Sequence, residues 1–296
     1  MNWKKVVGNI LKVVISGLAI YYVLSRIDLR EIADKIKNAN ILLLLAALAT
    51  YTASQLAAAF RLKVLFKRVP IDISHKENLK LYWLGLFYNL FLPGGVGGDG
   101  YKVYLIGKHL KRDIKSTIGA ILSDRVSGLS VIVIFLLILI PLLDYNIPYK
   151  NWAWSAIPLV AAAFYLFLRL FNRRLLPAYF QVISWALVVQ GLQMLAAVLI
   201  LSSLDAEAKG FYDAYIFLFF LSSIAGSLPI TLGGIGAREL VFVWGAQYLS
   251  INAGSALALS LLFYTASALC ALPGIVFTFR PSKILEKAEA KRAAFQ

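Results

Sequence analysis

The chain has 296 residues, of which 60% are hydrophobic and only 15% are charged, and its mean hydropathy is +0.75. These values exclude a soluble globular domain and are typical of a polytopic helical membrane protein. The formal net charge of +15 does not indicate a nucleic-acid partner. The cations stand in short loops between apolar runs, where the anionic surface of a membrane is the expected partner.

Apolar segments follow one another along the chain. Six of them are long enough to cross a hydrocarbon core of about 30 Å, and these predicted spans are 6–25, 39–60, 116–143, 152–171, 178–203 and 253–279. We interpret the first as an uncleaved span, because no small-residue cleavage site follows it. The loop 26–38 mixes cations with acids and is a candidate surface helix.

A helix-breaking motif occurs twice. Both copies read Leu-Pro-x-x-x-Gly-Gly-x-Gly-x-(Lys/Arg), from Leu92 to Lys102 and again 136 residues later from Leu228 to Arg238. Each copy lies between two short apolar segments, at 78–92 and 100–108 in the first half and at 211–228 and 236–249 in the second. Breaks at Pro93 and Pro229 inside apolar sequence therefore predict two re-entrant helical hairpins, and both prolines are candidate gating positions.

The distribution of charge orients this topology. With a cytoplasmic N-terminus, the inner segments hold 22 Lys and Arg residues and the outer segments hold six, which fits the positive-inside rule. Three full crossings between the hairpins invert the second one. We therefore predict a single all-α integral domain over 1–296, with six spans and two hairpins, in the cell membrane with both termini cytoplasmic. Inverted repeats cover about 39–143 and 178–279, and 1–38 and 144–177 add further spans and connections.

The glycines of the motifs open the second helix of each hairpin. Free N–H groups and the positive end of a helix dipole bind anions such as phosphate, and Lys102 and Arg238 add full charges nearby. We therefore predict an anion or phosphate site at the two cations and the motif glycines, which are Gly97, Gly98, Gly100, Gly233, Gly234 and Gly236. The alternative is that the glycines only permit tight packing and that the cations reach for the membrane surface.

Acidic residues accompany these cations. Asp99 and Glu239 lie at the starts of the two return helices, where they either cap the helix or act as gates that pair with a cation when substrate is absent. Arg125 lies deep in the span 116–143 and is a predicted phosphate ligand. The adjacent Asp124 is a candidate for gating or coupling, but neighbours along a helix do not face each other. Arg125 therefore needs another partner. One alternative is the phosphate of the substrate, and the other is Asp99, in an ion pair that fixes the hairpin in place.

Other kinds of site find little support. The single cysteine, Cys270, excludes a disulfide framework, and both histidines, His75 and His109, flank apolar segments as expected of interfacial residues. The run from Gly95 to Gly100 matches G-x-G-x-x-G but follows a membrane segment rather than a strand. We expect no enzymatic activity, cofactor or metal. Arg61, at the end of the span 39–60, is expected to reach for the membrane surface.

Three motifs in order resemble a known family. They are Leu92 to Asp99, Ser123-Asp124-Arg125-Val126, and Leu228 to Glu239. Together they resemble the flippase-like membrane domain of lysylphosphatidylglycerol synthases and its stand-alone relatives. The resemblance implies movement of a lipid between leaflets, with aminoacyl-phosphatidylglycerol or polyprenyl-phosphate-linked sugars as substrates. No synthase domain is expected in this chain, so aminoacyl transfer is not carried over.

These features predict a lipid flippase or scramblase for an anionic or phosphate-linked lipid. The expected partners are membrane lipids with anionic headgroups, and a second copy of the chain or a lipid-synthesising enzyme is a further candidate. Two alternatives use the same sequence features. One is a secondary transporter of a small organic anion, and the other is a scaffold for a lipid-modifying enzyme that transports nothing.

Overall fold

The structure is a computed structural model that describes residue 21 and residues 29–91, 96–110, 113–145, 148–204, 210–227 and 236–293. Within these ranges every regular element is helical. The α-helices are α1 (Leu29–Lys37), α2 (Ile41–Arg68), α3 (His75–Phe91), α4 (Gly97–Leu110), α5 (Ile114–Leu139), α6 (Ile157–Phe171), α7 (Tyr179–Leu204), α8 (Tyr212–Ser227), α9 (Ala237–Tyr248), α10 (Ala253–Ala271) and α11 (Glu286–Ala293). Short 3-10 turns cover Ile140–Leu142, Lys150–Ala156, Arg173–Ala178, Leu272–Thr278 and Pro281–Ile284.

Five helical segments among the described residues are long and apolar enough to cross a membrane. They are Ile41–Arg68, Ile114–Leu142, Lys150–Phe171, Arg173–Leu204 and Ala253–Thr278. The chain is therefore a polytopic helical membrane protein. The predicted first span, 6–25, lies outside the described residues. The candidate surface helix is present as α1, whose buried Ile32 packs toward α10.

Helix α2 extends beyond the predicted span 39–60 and ends at Arg68. Two cations of this extension, Arg61 and Lys63, are buried and have partners inside the bundle. Arg61 pairs with Asp124 on α5, and the ammonium of Lys63 donates to the backbone oxygen of Ile73. These partners allow both cations to remain buried in the protein interior.

Side-chain caps fix where the long helices begin. Asn40 accepts hydrogen bonds from the backbone N–H groups of the first turn of α2, and Asp113 does the same for α5. Asn252 accepts from the backbone N–H of Ser255 at 2.7 Å and starts α10. Each cap supplies an acceptor for N–H groups that have no partner within the helix.

The two helices on either side of each motif pack as an antiparallel hairpin. In the first hairpin (α3 and α4), Gly98 lies against Asn89 and Gly85, and Lys102 lies against Gly85 and Tyr82, so positions advance on α4 as they retreat on α3. In the second hairpin (α8 and α9), Arg238 packs on Gly226 and Leu218 packs on Gly245. The breaks themselves, including Pro93, Pro229, Gly233 and Gly234, lie outside the described residues.

Two apolar cores divide the bundle. The first core surrounds the first hairpin and includes Leu81 and Ile106 together with one end of α2, α5 and α7. The second core surrounds the second hairpin and includes Phe219 and Phe242 together with the opposite ends of the same three helices. The two hairpins therefore pack against opposite ends of the long helices. In the chain, α3 follows the end of α2 and α4 precedes the beginning of α5.

Polar side chains lie where the two cores meet. On α2, Gln55 stands between Tyr51 of the second core and Leu62 of the first. Ser127 holds the corresponding place on α5 and Gln190 on α7, and all three polar residues are buried. Buried polar groups in apolar helices require partners and are rare without a functional reason. This level, which we call the polar band, is where the candidate site lies.

Candidate functional site

The start of α4 is held tightly against α3. The backbone N–H of Gly98 donates to Oδ1 of Asn89 at 2.8 Å. A Cβ atom on Gly98 would overlap the carbonyl of Gly85, with 2.7 Å to its carbon, so only glycine permits this approach. Gly100 differs, because a Cβ atom there would meet nothing within 4 Å. Close packing therefore explains one glycine of the motif and leaves the other facing open space.

An acid shared by two cations forms the centre of the first hairpin. Oδ1 of Asp99 binds the ammonium of Lys102 at 2.9 Å, and Oδ2 of Asp99 binds Nε of Arg125 on α5. Lys102 also lies 4.7 Å from the centre of the Tyr82 ring. Two cations on one carboxylate leave one positive charge in excess. The expected ion pair between Arg125 and Asp99 is present and ties α4 to α5.

The two cations of this cluster differ in access. The side chain of Lys102 is 6% exposed, whereas that of Arg125 is 32% exposed. Lys102 is therefore shielded from the outside by Tyr82 and by the α3 backbone at Gly85. Because Arg125 is more accessible, it is the member of the cluster that an approaching anion would contact first.

Asp124 has a separate partner that sequence reasoning missed. Its Oδ1 accepts from Nε of Arg61 at 2.7 Å, across the interface between α5 and α2. The expectation that Arg61 reaches for the membrane surface is wrong, because the residue is buried and its guanidinium lies over Gly128 near Gln190. Nη1 of Arg61 and Oε1 of Gln190 are buried and have no hydrogen-bond partner among the described residues. The sequence did contain a signal for this second pair. Asp124 is a carboxylate that cannot face the adjacent Arg125 on a helix, so it needs a different cation.

The second hairpin uses its acid as a cap. Gly236 has a φ of 89°, which favours glycine, and its N–H donates to Oε2 of Glu239 at 2.7 Å. The other oxygen of Glu239 accepts from the hydroxyl of Ser260 on α10 at 3.1 Å. Both carboxylate oxygens are therefore occupied by neutral donors.

Arg238, next to this acid, is left with unused donors. Its guanidinium lies 5.6 Å from the centre of the Phe263 ring, and its stem packs on Gly226. Nε and Nη2 are buried and have no hydrogen-bond partner among the described residues. A buried guanidinium with unsatisfied N–H groups is costly unless something else completes it. An anion that accepts from both nitrogens would do so.

The aromatic rings next to the two motif cations contact the same turn of α2. Gln55 accepts a hydrogen bond from the hydroxyl of Tyr82, and the ammonium of Lys102 lies over the ring of the same tyrosine. Tyr51 packs edge-on against Phe263 at 5.2 Å between ring centres, and Phe263 carries Arg238. Tyr51 and Gln55 are four residues apart, or about 6 Å along the helix. The two motif cations are thus linked, each through one aromatic ring, to positions one turn apart on α2, with Tyr51 in the second core and Gln55 in the polar band.

The charged residues of the predicted site fall into three groups. Asp99, Lys102 and Arg125 form one cluster, and Asp124 belongs to the pair with Arg61. Arg238 and Glu239 stand on the second hairpin without an ion pair between them among the contacts of the described residues. Within the same residues, no three His, Cys, Asp or Glu side chains gather in a way that could hold a metal ion.

Comparison with known proteins places the chain in a family. A search of the curated proteins found no match. The family described as the lysylphosphatidylglycerol synthase TM region matches residues 9–183, which is more than half of the 296 residues. The matched range contains the first hairpin, the cluster around Asp99 and the pair of Arg61 with Asp124, while the second hairpin lies beyond it. The chain therefore belongs to the family of lysylphosphatidylglycerol synthase transmembrane regions.

Proposed function

We propose that this protein moves an anionic or phosphate-linked lipid between the leaflets of the membrane, as a flippase or scramblase. The substrate class includes aminoacyl-phosphatidylglycerol-like phospholipids and polyprenyl-phosphate-linked sugars. The observation that carries the proposal is the buried guanidinium of Arg238, whose Nε and Nη2 have no hydrogen-bond partner among the described residues. Buried cations inside a membrane protein mark a pathway for a charged ligand.

The proposed membrane arrangement has six full spans and two re-entrant hairpins that enter from opposite sides. Its support is that each hairpin packs in a different core, at opposite ends of α2, α5 and α7. The helix order also repeats, since α2 to α5 cover Ile41–Leu139 and α7 to α10 cover Tyr179–Ala271. In the proposal these are inverted repeats, in the cell membrane, with both termini in the cytoplasm.

The headgroup of the lipid lies between the hairpins in this proposal. Its phosphate accepts from Arg238 on one side and from Lys102 and Arg125 on the other, with the helix starts at Gly97 and Gly236 contributing dipoles. The chains remain in the bilayer. The fixed cations replace the water that a charged headgroup loses on leaving the surface, and so lower the barrier to crossing.

Asp99 acts as the gate of the site. With substrate absent it binds both Lys102 and Arg125, and a phosphate displaces it by offering the same acceptor geometry to both cations. Net direction requires a gradient. Protonation of Asp99, Asp124 or Glu239 would release their partners and couple the cycle to protons.

In this proposal the chain carries out no covalent chemistry, so a lipid-synthesising enzyme provides the substrate. That enzyme, or a second copy of this chain, is the proposed protein partner. A soluble organic anion and a scaffold role remain the two alternatives, and the assay below separates them.

The test is lipid movement in proteoliposomes. Fluorescent phosphatidylglycerol and phosphatidylcholine are reconstituted with the wild type and with Arg238→Gln or Lys102→Gln. Lys108→Gln is the matched control, because Lys108 lies on the same helix as Lys102 and also stacks on a ring, that of Tyr104 at 5.7 Å, outside the polar band. We expect the two site variants to lose movement of phosphatidylglycerol by at least about tenfold, and the control to retain it.

Other outcomes identify the alternatives. Uptake of glycerol phosphate without lipid movement supports the soluble-anion transporter. Full retention of lipid movement in Arg238→Gln and Lys102→Gln refutes the assignment of the site. Absence of any transport, in wild type as in the variants, with polyprenyl-phosphate-linked substrates and a proton gradient also supplied, supports the scaffold.

A further inference from the structure

Two cavities open side by side on the outer seam between α2 and α7. One has a volume of about 340 Å³ and is lined by Val64, Lys67, Arg68 and Gln181. The other has a volume of about 390 Å³ and is lined by Val64, Phe180, Gln181, Ser184, Trp185 and Val188. Since Val64 and Gln181 belong to both linings, the cavities form one surface groove, which we call the seam groove.

The seam groove changes from charged to apolar along its length. Its first part contains Lys67 and Arg68, both exposed in the last turn of α2, together with the amide of Gln181, and its lining includes no acid. Its second part is lined mainly by Trp185, Val188 and other carbon-rich side chains. Two cations beside an apolar channel are complementary in shape and charge to an anionic amphiphile.

Aromatic contacts fix the wall of the apolar part. Trp185 packs on Phe60 of α2 with 5.7 Å between ring centres, and Phe60 in turn lies 5.9 Å from His75. Tryptophan close to cations that end an apolar helix is typical of the interface between hydrocarbon and headgroups. The groove is therefore placed for a lipid that stands in the leaflet, with its phosphate at the level of Lys67.

The seam groove is separate from the transport site. Arg61 lies on the same helix but faces inward to Asp124, whereas Lys67 and Arg68 are exposed. α2 and α7 pack against each other along their length, and they carry Gln55 and Gln190 of the polar band. A lipid bound across their seam contacts both helices at once and holds them together.

We propose that the seam groove binds one anionic glycerophospholipid as a resident ligand that is not transported. Its phosphate binds Lys67, Arg68 and the amide of Gln181, and one acyl chain lies along Trp185 and Val188. A free phosphate would leave the apolar part empty, so the ligand is a lipid. This binding requires only that the chain is embedded in a membrane, and it does not depend on the proposed transport.

Native mass spectrometry of the delipidated protein in detergent tests this site. Phosphatidylglycerol, phosphatidylcholine and glycerol 3-phosphate are added separately at matched concentrations. The head variant is Lys67→Gln with Arg68→Gln. Its control is Lys76→Gln with Lys115→Gln, which removes two exposed cations from outside the seam groove. We expect the head variant to bind phosphatidylglycerol at least about tenfold more weakly, and the control to bind it as the wild type does.

A second pair of variants probes the chain. Val188→Trp fills the apolar part of the groove, whereas Leu187→Trp places the same bulk at an exposed neighbour outside its lining. Only the former should weaken phosphatidylglycerol binding. The proposal is overturned if both charge variants lose binding equally, if phosphatidylcholine binds as well as phosphatidylglycerol, or if glycerol 3-phosphate competes as effectively as the lipid. Equal effects of the two tryptophan variants also count against it.

Discussion

Two glycines of the first motif should respond in opposite ways to the same substitution. Gly98 and Gly100 both lie in the first turn of α4. A methyl group on Gly98 would overlap the backbone carbonyl of Gly85, whereas a methyl group on Gly100 would meet nothing within 4 Å. We therefore predict that Gly98→Ala separates the two helices of the first hairpin and that Gly100→Ala leaves them in place.

The magnitudes follow from the contacts. Overpacking of this kind costs about 1–3 kcal/mol, and the upper part of that range applies because the obstacle is backbone rather than a movable side chain. Displacement of α4 also lengthens the bond of 2.8 Å from Gly98 to Asn89, at a cost of about 1 kcal/mol. Gly100→Ala should raise the unfolding free energy by up to about 1 kcal/mol, because alanine is a better helix former than glycine.

Thermal unfolding in detergent measures the difference. At about 2–4 °C per kcal/mol, a gap of at least 2 kcal/mol separates the apparent melting temperatures of the two variants by about 4 °C or more. Hydrogen exchange should locate the loss in α3 and α4. Equal melting temperatures would contradict the close approach of the two helices. A lower melting temperature for Gly100→Ala than for Gly98→Ala would contradict it more strongly.

Two further predictions concern buried and exposed carboxylates. Asp124→Asn leaves Arg61 buried without its carboxylate and should lower the unfolding free energy by about 3–5 kcal/mol. Combining it with Arg61→Met should restore much of that loss in thermal unfolding; no restoration would argue against the pair. Hydrogen bonds from the hydroxyl and N–H of Ser116 and from the N–H of Lys115 lower the pKa of Asp113. The stabilisation that Asp113 gives to the start of α5 should therefore be complete at pH values above the unfolded carboxyl pKa of about 3.9. It should be lost as the pH falls through the lower pKa of Asp113 in the folded protein. Asp113→Asn should remove this pH dependence from hydrogen exchange in the first turn, after correction for intrinsic rates.

Helix positions could be predicted because membrane helices carry their own signal. The segment expected at 211–228 is the helix Tyr212–Ser227, and the one expected at 78–92 is His75–Phe91. Long apolar runs and Pro-Gly breaks are local features, and local features are readable from one chain. The burial of Arg61 could not be predicted in this way, because its partner is a carboxylate 63 residues away.

Pairings within the site were only partly predictable. The rule that adjacent helical residues do not face each other separated Asp124 from Arg125 and directed attention to Asp99. It could not identify Arg61 as the partner of Asp124, because Arg61 stands at the end of an apolar run and resembles an interfacial cation. The rings beneath Lys102 and Arg238 were equally hidden, since Tyr82 and Phe263 are ordinary aromatics in apolar segments until the helices pack.

The two halves of the chain differ in what an anion must displace. At the first hairpin, Lys102 and Arg125 are already bound to Asp99, so a phosphate must break an ion pair before it can bind. At the second hairpin, Glu239 is committed to Gly236 and Ser260, and Arg238 offers two N–H groups that have no described partner. In the proposed cycle the anion therefore binds Arg238 first and reaches the first hairpin only by displacing Asp99. Unequal charge pairing thus orders the two binding steps of the proposed cycle, while its net direction still depends on a gradient.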